Sequence, residues 1–435
     1  MRKLTFKHGI HPRDHKSYTN AIPIRMVEPP ELLYFPVQQH IGAPLDILVK
    51  PGDKVLKGQK LADSTAPVSV PLHSSVSGTV KDVGMYMHAS GVKVPTVVVE
   101  NDGQDTCVEF IEHDDLDALS KEDIIKLIRE GGVVGMGGAG FPTHIKLSPP
   151  PEKEIRHIII NGSECEPYLT SDHRVMVEEP GMIIEGLHVI RKLFPQADAY
   201  VAIEANKPDA IETMKAEVEG TDIGVLTMQT KYPQGAEKQL IYAVTGKEIP
   251  SGSLPMDVGC IVINIDTATA IARAVKQGIP LCRRIVTVSG TMVSKPGNFS
   301  VRIGTPFSTV IEAAGGIGAV PGKIIMGGPM MGVAGHSLDV PVVKATSSIL
   351  LFDQEEAKAG EESPCIRCGR CMSACPIQLR PLYLNAYALK GDWEQCQKEN
   401  MMDCIECGCC SYVCPAKRHL VQSIRVGKQQ LAKRK

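Results

Sequence analysis

The hydrophobic pattern changes character along the chain, and each change marks an expected unit. Residues 1–35 carry several Pro and no sustained period, and read as an arm. From 36 to 105, short apolar runs are cut by turn residues. Pro51, Gly52, Asp53 and Gly58 interrupt Val49 to Ala62, and Val68 to Val80 repeats the pattern, so short strands are expected. Between 106 and 282, helical and strand-like stretches alternate, as in an α/β layer. Ser120 to Glu130 predicts a helix, with Ser120 as cap and Ile124, Ile125 and Ile128 on one face. Ile158 to Ile160 and Ile261 to Ile265 predict buried strands, with Pro149, Pro150 and Pro151 in a loop. β character returns over 283–345, with strands at 284–290 and 299–303 and a short helix at 309–314. A Glu-, Gly- and Ser-rich linker is expected over 346–363. The segment 364–435 predicts helices at 379–390 and 393–399.

Composition narrows the class without naming it. The 435 residues exceed one small core and suit several domains. A net charge of −2 gives no reason to expect nucleic acid. No apolar run is long enough to span a bilayer, and the start of the chain lacks the apolar core of a signal peptide. Fourteen Cys in such a chain point to metal ligation, not disulfides. His8, His11 and His15 fit a polar arm packed on a neighbouring domain.

Eight of those Cys carry most of the information. Cys365, Cys368, Cys371, Cys375 and Pro376 have the spacing C-x2-C-x2-C-x3-C-P, and Cys404, Cys407, Cys410, Cys414 and Pro415 repeat it. This is the pattern of two-cluster bacterial ferredoxins, in which the fourth Cys of each run ligates the other cluster. One [4Fe–4S] cluster is therefore expected on Cys365, Cys368, Cys371 and Cys414, and a second on Cys404, Cys407, Cys410 and Cys375. Structural zinc is the alternative, but it leaves the third Cys and the Pro of each run without a role. Cys107, Cys165, Cys260, Cys282, Cys396 and Cys409 are expected to be small buried side chains. After Glu406 the chain has basic residues but no acidic ones, which suits either a solvated tail or a surface steering an acidic partner or membrane.

A second stretch, Gly131 to Lys146, is rich in Gly. Its bare backbone N–H groups suit close approach to a phosphate or a flat ring, and a hinge is the plain alternative. Clusters pass single electrons whereas nicotinamide takes a hydride, so a chain joining the two needs a flavin.

Gly-Met-Gly-Gly-Ala-Gly-Phe-Pro-Thr-His-Ile-Lys146 resembles the flavin loop of the NADH-oxidising subunit of respiratory complex I, and Asn161 to Pro167 resembles that family's next strand end. The segment 36–105 resembles the barrel-sandwich hybrid of biotinyl and lipoyl domains, although Asp63 to Leu72 holds no Lys to modify. The order of parts is similar to the C subunit of Rnf electron transport complexes. The resemblance implies a multidomain α/β protein: arm (1–35), barrel-sandwich hybrid (36–105), Rossmann-like FMN/NAD domain (106–282), β-grasp SLBB-like domain (283–345), linker (346–363) and two-[4Fe–4S] ferredoxin-like domain (364–435). It implies FMN, NAD(H) and two [4Fe–4S] clusters. For site residues it implies Gly135, Gly137, Gly138, Gly140 and Lys146 around FMN and Phe141 beside the nucleotide. It adds Asn161, Glu164 and Glu166 as polar contacts, Gly235 and Glu237 near the flavin, and Asn264 and Thr267 at its phosphate. Met136, Ser163, Cys165, Ala236 and Ile263 depart from the complex I pattern.

The implied activity is ferredoxin:NAD⁺ oxidoreduction coupled to Na⁺ or H⁺ translocation, with no catalytic side chain beyond the flavin. Implied partners are the other Rnf subunits, with ferredoxin as indirect donor. The implied place is the cytoplasmic face of the membrane, held through those partners. A soluble NADH-dependent reductase and a non-catalytic relay subunit stay open beside it.

Overall fold

The computed structural model describes residues 3–434. Short strands build two small sheets over the first domain. One orders Leu32–Pro36, Lys93–Asn101, Gly78–Met87 and Lys54–Val55; the other orders Asp46–Ile47, Lys60–Asp63 and Leu72–His73. Leu33, Phe35, Leu61, Leu72, Val80, Val97 and Val99 fill the space between them. The Lys-free hairpin between Asp63 and Leu72 packs on the next domain, where the ring of His144 lies 3.3 Å from the Pro67 carbonyl oxygen. The expected arm of residues 1–35 needs correcting at its end. Leu32–Pro36 pairs with Lys93–Asn101, and Arg25–Met26 joins the sheet of the β-grasp domain beside Phe299 and Ser300. Two domains thus recruit strands from a stretch whose own sequence shows no strand period.

The α/β layer is a parallel sheet ordered Gly224–Met228, Asp198–Glu204, His157–Gly162, Cys260–Asn264. Its central strands are almost continuously apolar because helices cover them, and Ile158, Ile159 and Ile160 are fully buried. Helix Lys121–Glu130 starts at Ser120 as expected. Ser120 and Asp123 form a reciprocal capping box, and Ile124 and Ile128 face the core. Helices Pro180–Leu193 and Ile265–Lys276 pack closely where Gly186 meets Ala268. The strand order sets the site. After Gly224–Met228 the chain returns to the opposite flank of His157–Gly162, so the carboxyl ends of His157–Gly162 and Cys260–Asn264 open at a topological switch point.

The β-grasp sheet runs Arg25–Met26, Gly297–Arg302, Arg283–Ser289, Ser348–Phe352, Lys323–Met326, Val333–Gly335, with helix Phe307–Ala313 against it. Ser348–Phe352 falls in the stretch expected as linker. It is instead an interior strand with all five residues buried, paired with Arg283–Ser289 and Lys323–Met326. A four-residue apolar run, Ile349 to Phe352, beside a polar linker gives no local sign of the partners that bury it. The irregular connection therefore begins after Phe352.

The last domain packs helices Pro381–Lys390, Trp393–Lys398 and Leu420–Ala432 around Leu384, Cys396, Met401, Ile424 and Leu431. The basic C-terminal segment is largely this last helix, not a free tail. Arg425 and Lys428 both pair with Glu406, and Arg418 with Glu362.

The closest helix contact is testable. A Cβ on Gly186 would stand 2.0 Å from the Ala268 carbonyl oxygen. Gly186→Ala should lower the unfolding free energy by about 1–3 kcal/mol through overpacking. Thermal unfolding with an unchanged midpoint would contradict this packing.

Candidate functional site

The switch point is built from two asparagines that face each other across neighbouring strand ends, Asn161 and Asn264. Asn264 caps helix Ile265–Lys276: its side-chain oxygen accepts from the N–H groups of Asp266 (3.0 Å) and Thr267 (3.3 Å). Its amide nitrogen donates to Asp172 at 2.6 Å. The Gly-rich loop lies directly on this cap. The Met136 N–H donates to Thr267 Oγ1 at 2.9 Å, and a Cβ on Gly137 would sit 3.0 Å from Asn264. Only Gly lets the loop come so near. The loop closes on itself through the Gly135 N–H and the Phe141 carbonyl (2.8 Å), and Gly140 takes φ +71°. A Cβ on Gly138 would meet nothing within 4 Å, and Gly137, Gly138, Ala139 and Phe141 are exposed. Opposite them, Lys146 and Glu237 form an ion pair at 2.5 Å, and Asn161 donates to the Gly235 carbonyl at 2.8 Å.

The structure thus brings Gly135, Gly137, Gly138, Phe141, Asn161, Gly235, Asn264 and Thr267 together around one open cradle, with the Lys146–Glu237 pair on the helices that follow, whereas Gly140 packs on Gln39 and His40 of the barrel domain. Bare N–H groups, a twelve-residue helix whose N-terminus is capped here, and a cation fit a flavin bearing a phosphate. The foot of the loop is pinned from a third domain. Lys344, fully buried, donates to the carbonyls of Gly132 and Pro71, both at 2.7 Å.

Two of the expected contact residues have their carboxylates engaged by backbone N–H groups. Glu164 has φ +45° and turns its carboxylate onto the start of helix Ser171–Glu178, accepting from the N–H groups of Asp172 (2.7 Å) and His173 (3.3 Å). Glu166 accepts from the N–H groups of Met330 (3.0 Å) and Met331 (2.9 Å) in the loop Gly327–Gly332. Burial pushes its carboxyl up to about 7. Local sequence could not reveal either orientation. Sequence reasoning also missed Asp172, raised to about 8 by burial and by Glu164 and Asp266, and the buried Lys16 and Lys207. Nothing distinguishes those two lysines from the exposed ones in the sequence. Among the remaining cysteines, Cys107 is exposed and Cys165 half-buried, contrary to expectation, whereas Cys260, Cys282, Cys396 and Cys409 are buried.

The two Cys runs fold as copies of one loop. Arg367 and Glu406, two residues after the first Cys, take φ +56° and +57°. Gly369 and Gly408 take +75° and +80°, and Gln378 and Lys417, three after the fourth Cys, take +59° and +51°. These turns aim backbone N–H groups at sulfur: Arg367 to Cys365, Leu379 to Cys375 and Glu406 to Cys404, at 3.3–3.4 Å. Cys375, Cys404, Cys407 and Cys410 line one recess together with Cys409, Ile377, Leu379 and Ile424. Cys371 instead has Cys414 and Cys365 as its charge neighbours. Burial raises the Cys375 thiol and lifts Cys404 to about 11, whereas the neighbouring Cys409 side chain lowers Cys407. Among the described residues no three His, Cys, Asp or Glu side chains gather as ligands of one ion. Four sulfurs ranged around a recess fit a multinuclear cluster.

The recess adjoins the flavin domain. The Tyr232 hydroxyl donates to the Cys407 carbonyl at 2.8 Å, and Gln239 to the Pro376 carbonyl at 3.3 Å. Gly408 leaves only 3.0 Å between a would-be Cβ and the Met330 carbonyl oxygen. Cys365 and Cys368, in contrast, are exposed.

Four family matches follow this order of parts: an RnfC barrel sandwich hybrid domain (residues 4–104), a Nuo51 FMN-binding domain (128–273), an SLBB domain (285–334) and a 4Fe-4S dicluster domain (358–415). The chain is 49% identical to the C subunit of the proton-translocating ferredoxin:NAD(+) oxidoreductase complex from Clostridium ljungdahlii, over 97% of this chain and 93% of that one. It is 46% identical to the Na(+)-translocating counterpart from Acetobacterium woodii, over 98% and 97%. It is 42% identical to the C subunit of the ion-translocating oxidoreductase complex from Rhodobacter capsulatus, over 100% and 84%.

Two outcomes test this geometry. Cys375→Ser should disturb the cluster otherwise held by Cys404, Cys407 and Cys410, while Cys396→Ser leaves the iron content unchanged. Electron paramagnetic resonance showing damage confined to the cluster of Cys365, Cys368 and Cys371 would contradict the crossed ligation. Lys344 supplies the pH test. Desolvation lowers its ammonium from 10.5 to about 7, against smaller opposing effects of Cys282 and Asp63. The unfolded chain therefore holds the proton more tightly, and stability should rise as pH climbs from about 7 toward 10.5. Urea unfolding of Lys344→Met should lack that rise; parallel pH profiles for variant and wild type would contradict it.

Proposed function

The chain is a member of the family of C subunits of ion-translocating ferredoxin:NAD⁺ oxidoreductases, and from that premise we propose that it exchanges electrons between ferredoxin-linked partner subunits and NAD(H). Cys365, Cys368, Cys371 and Cys414 would hold one [4Fe–4S] cluster and Cys375, Cys404, Cys407 and Cys410 a second, which would supply single-electron transfer. FMN, when bound in the cradle, converts between single electrons and the hydride that nicotinamide carries. Ion translocation belongs to the membrane partners. Among the described residues no helix is long and apolar enough to cross a membrane, which agrees with attachment through those partners at the cytoplasmic face.

The residues of this chain do three things. The loop Gly135–Gly140 offers N–H groups and closeness that side chains would prevent, and Asn264 and Thr267 fix its depth. Lys146, held by Glu237, offers a cation to phosphate. The cluster domain sets the sequence of stations. The observation that carries this reading is the recess of Cys375, Cys404, Cys407 and Cys410 lying against Tyr232 and Gln239 of the flavin domain, while Cys365 and Cys368 face outward. A cluster on the outward Cys365 and Cys368 would be placed to exchange electrons with a partner, and one in the inner recess to exchange them with the cradle.

A second reading, a relay subunit without nucleotide binding, is favoured by one observation: Glu164 and Glu166 are occupied by backbone N–H groups. NADH added anaerobically separates the two. Bleaching of a bound flavin supports the enzyme, and its absence in fully FMN-loaded protein supports the relay. Cys365→Ser should keep that bleaching and the inner cluster signal, yet lose exchange with the partner subunits. Undiminished exchange in this variant would overturn the proposed order. Lys146→Ala should weaken FMN retention by about 1.5–3 kcal/mol, the worth of a charge-assisted contact; equal affinity would remove Lys146 from the site.

A further inference from the structure

The N-terminal residues fold onto neither the barrel sandwich nor themselves. They run along the seam between the flavin and cluster domains. Leu4 extends the parallel sheet, exchanging hydrogen bonds with Thr227 (3.0 Å) and Gln229 (2.8 Å). Phe6 lies under Lys231, whose ammonium is 4.3 Å from its ring centroid and 2.9 Å from its carbonyl oxygen. The chain then touches the cluster domain: the Gly9 N–H donates to the Ala374 carbonyl (3.2 Å), and His8 Nδ1 lies 3.0 Å from the Ser373 carbonyl oxygen. Ile10 next exchanges two hydrogen bonds with Tyr232, both 2.9 Å. Further on, the ring of His15 stacks on Tyr168 at 4.6 Å, and Lys16 donates from a buried position to the carbonyls of Glu166 (3.0 Å) and Leu169.

The partners are what make this route informative. Ser373 and Ala374 directly precede Cys375, the Cys that crosses to the inner recess. Tyr232, fixed through its backbone by Ile10, carries the hydroxyl that holds the Cys407 carbonyl. The arm therefore grips the inner recess from both of its ligand segments, once directly and once through Tyr232. It shares the seam with Gln239, the Met330 loop and an apolar cluster that sets Cys165 and Met330 against Ile405, Cys409 and Val413. The covalent connection after Phe352 has no helix or strand up to Arg370.

We propose that residues 4–16 are a strap that fixes the inner cluster site against the flavin cradle, and that the rate of single-electron exchange between the two depends on it. The inference rests on the electron-relay reading for its kinetic part. Its structural part, that the arm restrains segments 365–376 and 404–410, stands without that reading. Electron transfer weakens steeply with separation, so a small loosening of the seam suffices.

Gly9 is the point to break the strap. It has φ +80°, and a Cβ there would stand 2.6 Å from the Tyr232 carbonyl oxygen and 2.9 Å from the Phe6 ring. In the full chain loaded with iron and FMN, Gly9→Val should keep both contents and the rate of flavin bleaching by NADH. It should speed amide hydrogen exchange across 365–376 and 404–410, and slow the following reduction of the clusters on the order of tenfold or more, as misplacement of reacting groups does. Unchanged exchange and unchanged cluster reduction, in protein whose residues 4–14 themselves exchange freely, would overturn the strap. If Gly9→Val does not fold, a protease site inserted in the exposed turn at Ala21 allows the arm to be cut in folded protein, with the same readouts. Absence of flavin bleaching in wild type would refute nucleotide oxidation alone. Amide exchange would then decide the strap by itself: faster exchange in the two segments on release of the arm supports it, and unchanged exchange overturns it.

Discussion

Electrons pass between cofactors only while the distance between them is held, and the seam that would hold it here centres on the Tyr232 hydroxyl, which donates to the Cys407 carbonyl. Tyr232 is almost wholly buried, so the bond is shielded from competing water. Four parts of the chain converge on it. The arm fixes the Tyr232 backbone, and the flavin domain supplies the residue. The β-grasp loop at Met330 closes over Gly408, and the cluster domain offers the carbonyl. Glu166 joins two of these parts by accepting from Met330 and Met331.

That convergence explains the order of domains. The parallel sheet places Asn161 and Asn264 at a switch point, where a helix start and a Gly-rich loop make a cradle for an anionic ring system. The barrel sandwich and β-grasp domains then buttress the cradle from outside, most directly through Lys344, which ties Gly132 to Pro71. The cluster domain needs no large interface with them. It needs one of its two recesses brought to the seam and the other left facing outward, and the duplicated Cys loops achieve this.

Much of this was legible in the sequence where chemistry depends on covalent spacing or on local sterics. The two Cys runs specify their loops because a cubane leaves little freedom in the interval between ligands. The buried strands around Ile158 and Ile261, and the helix begun at Ser120, follow from apolar period and capping. The Gly-rich loop was readable because Gly137 must pass against Asn264. What stayed hidden depends on distant partners. Ser348–Phe352 looked like the edge of a linker because only its neighbours in space bury it. The backbone partners of Glu164 and Glu166 were hidden because sequence shows a side chain but not its direction, which here follows from φ +45° at Glu164 and from a loop of another domain. The packing of the arm on its neighbours was expected and is seen at His8 and His15, but Lys16 carried no signal, since a buried lysine held by backbone carbonyls reads like any exposed one.

The central claim is spatial: the inner recess, not the outer, stands next to the flavin cradle. Anomalous diffraction at the iron edge from crystals of the loaded protein tests it most directly. The account predicts two separate groups of iron, with the group nearer Gly135–Gly140 enclosed by Cys375, Cys404, Cys407 and Cys410. A nearer group bound by Cys365, Cys368 and Cys371 would contradict it.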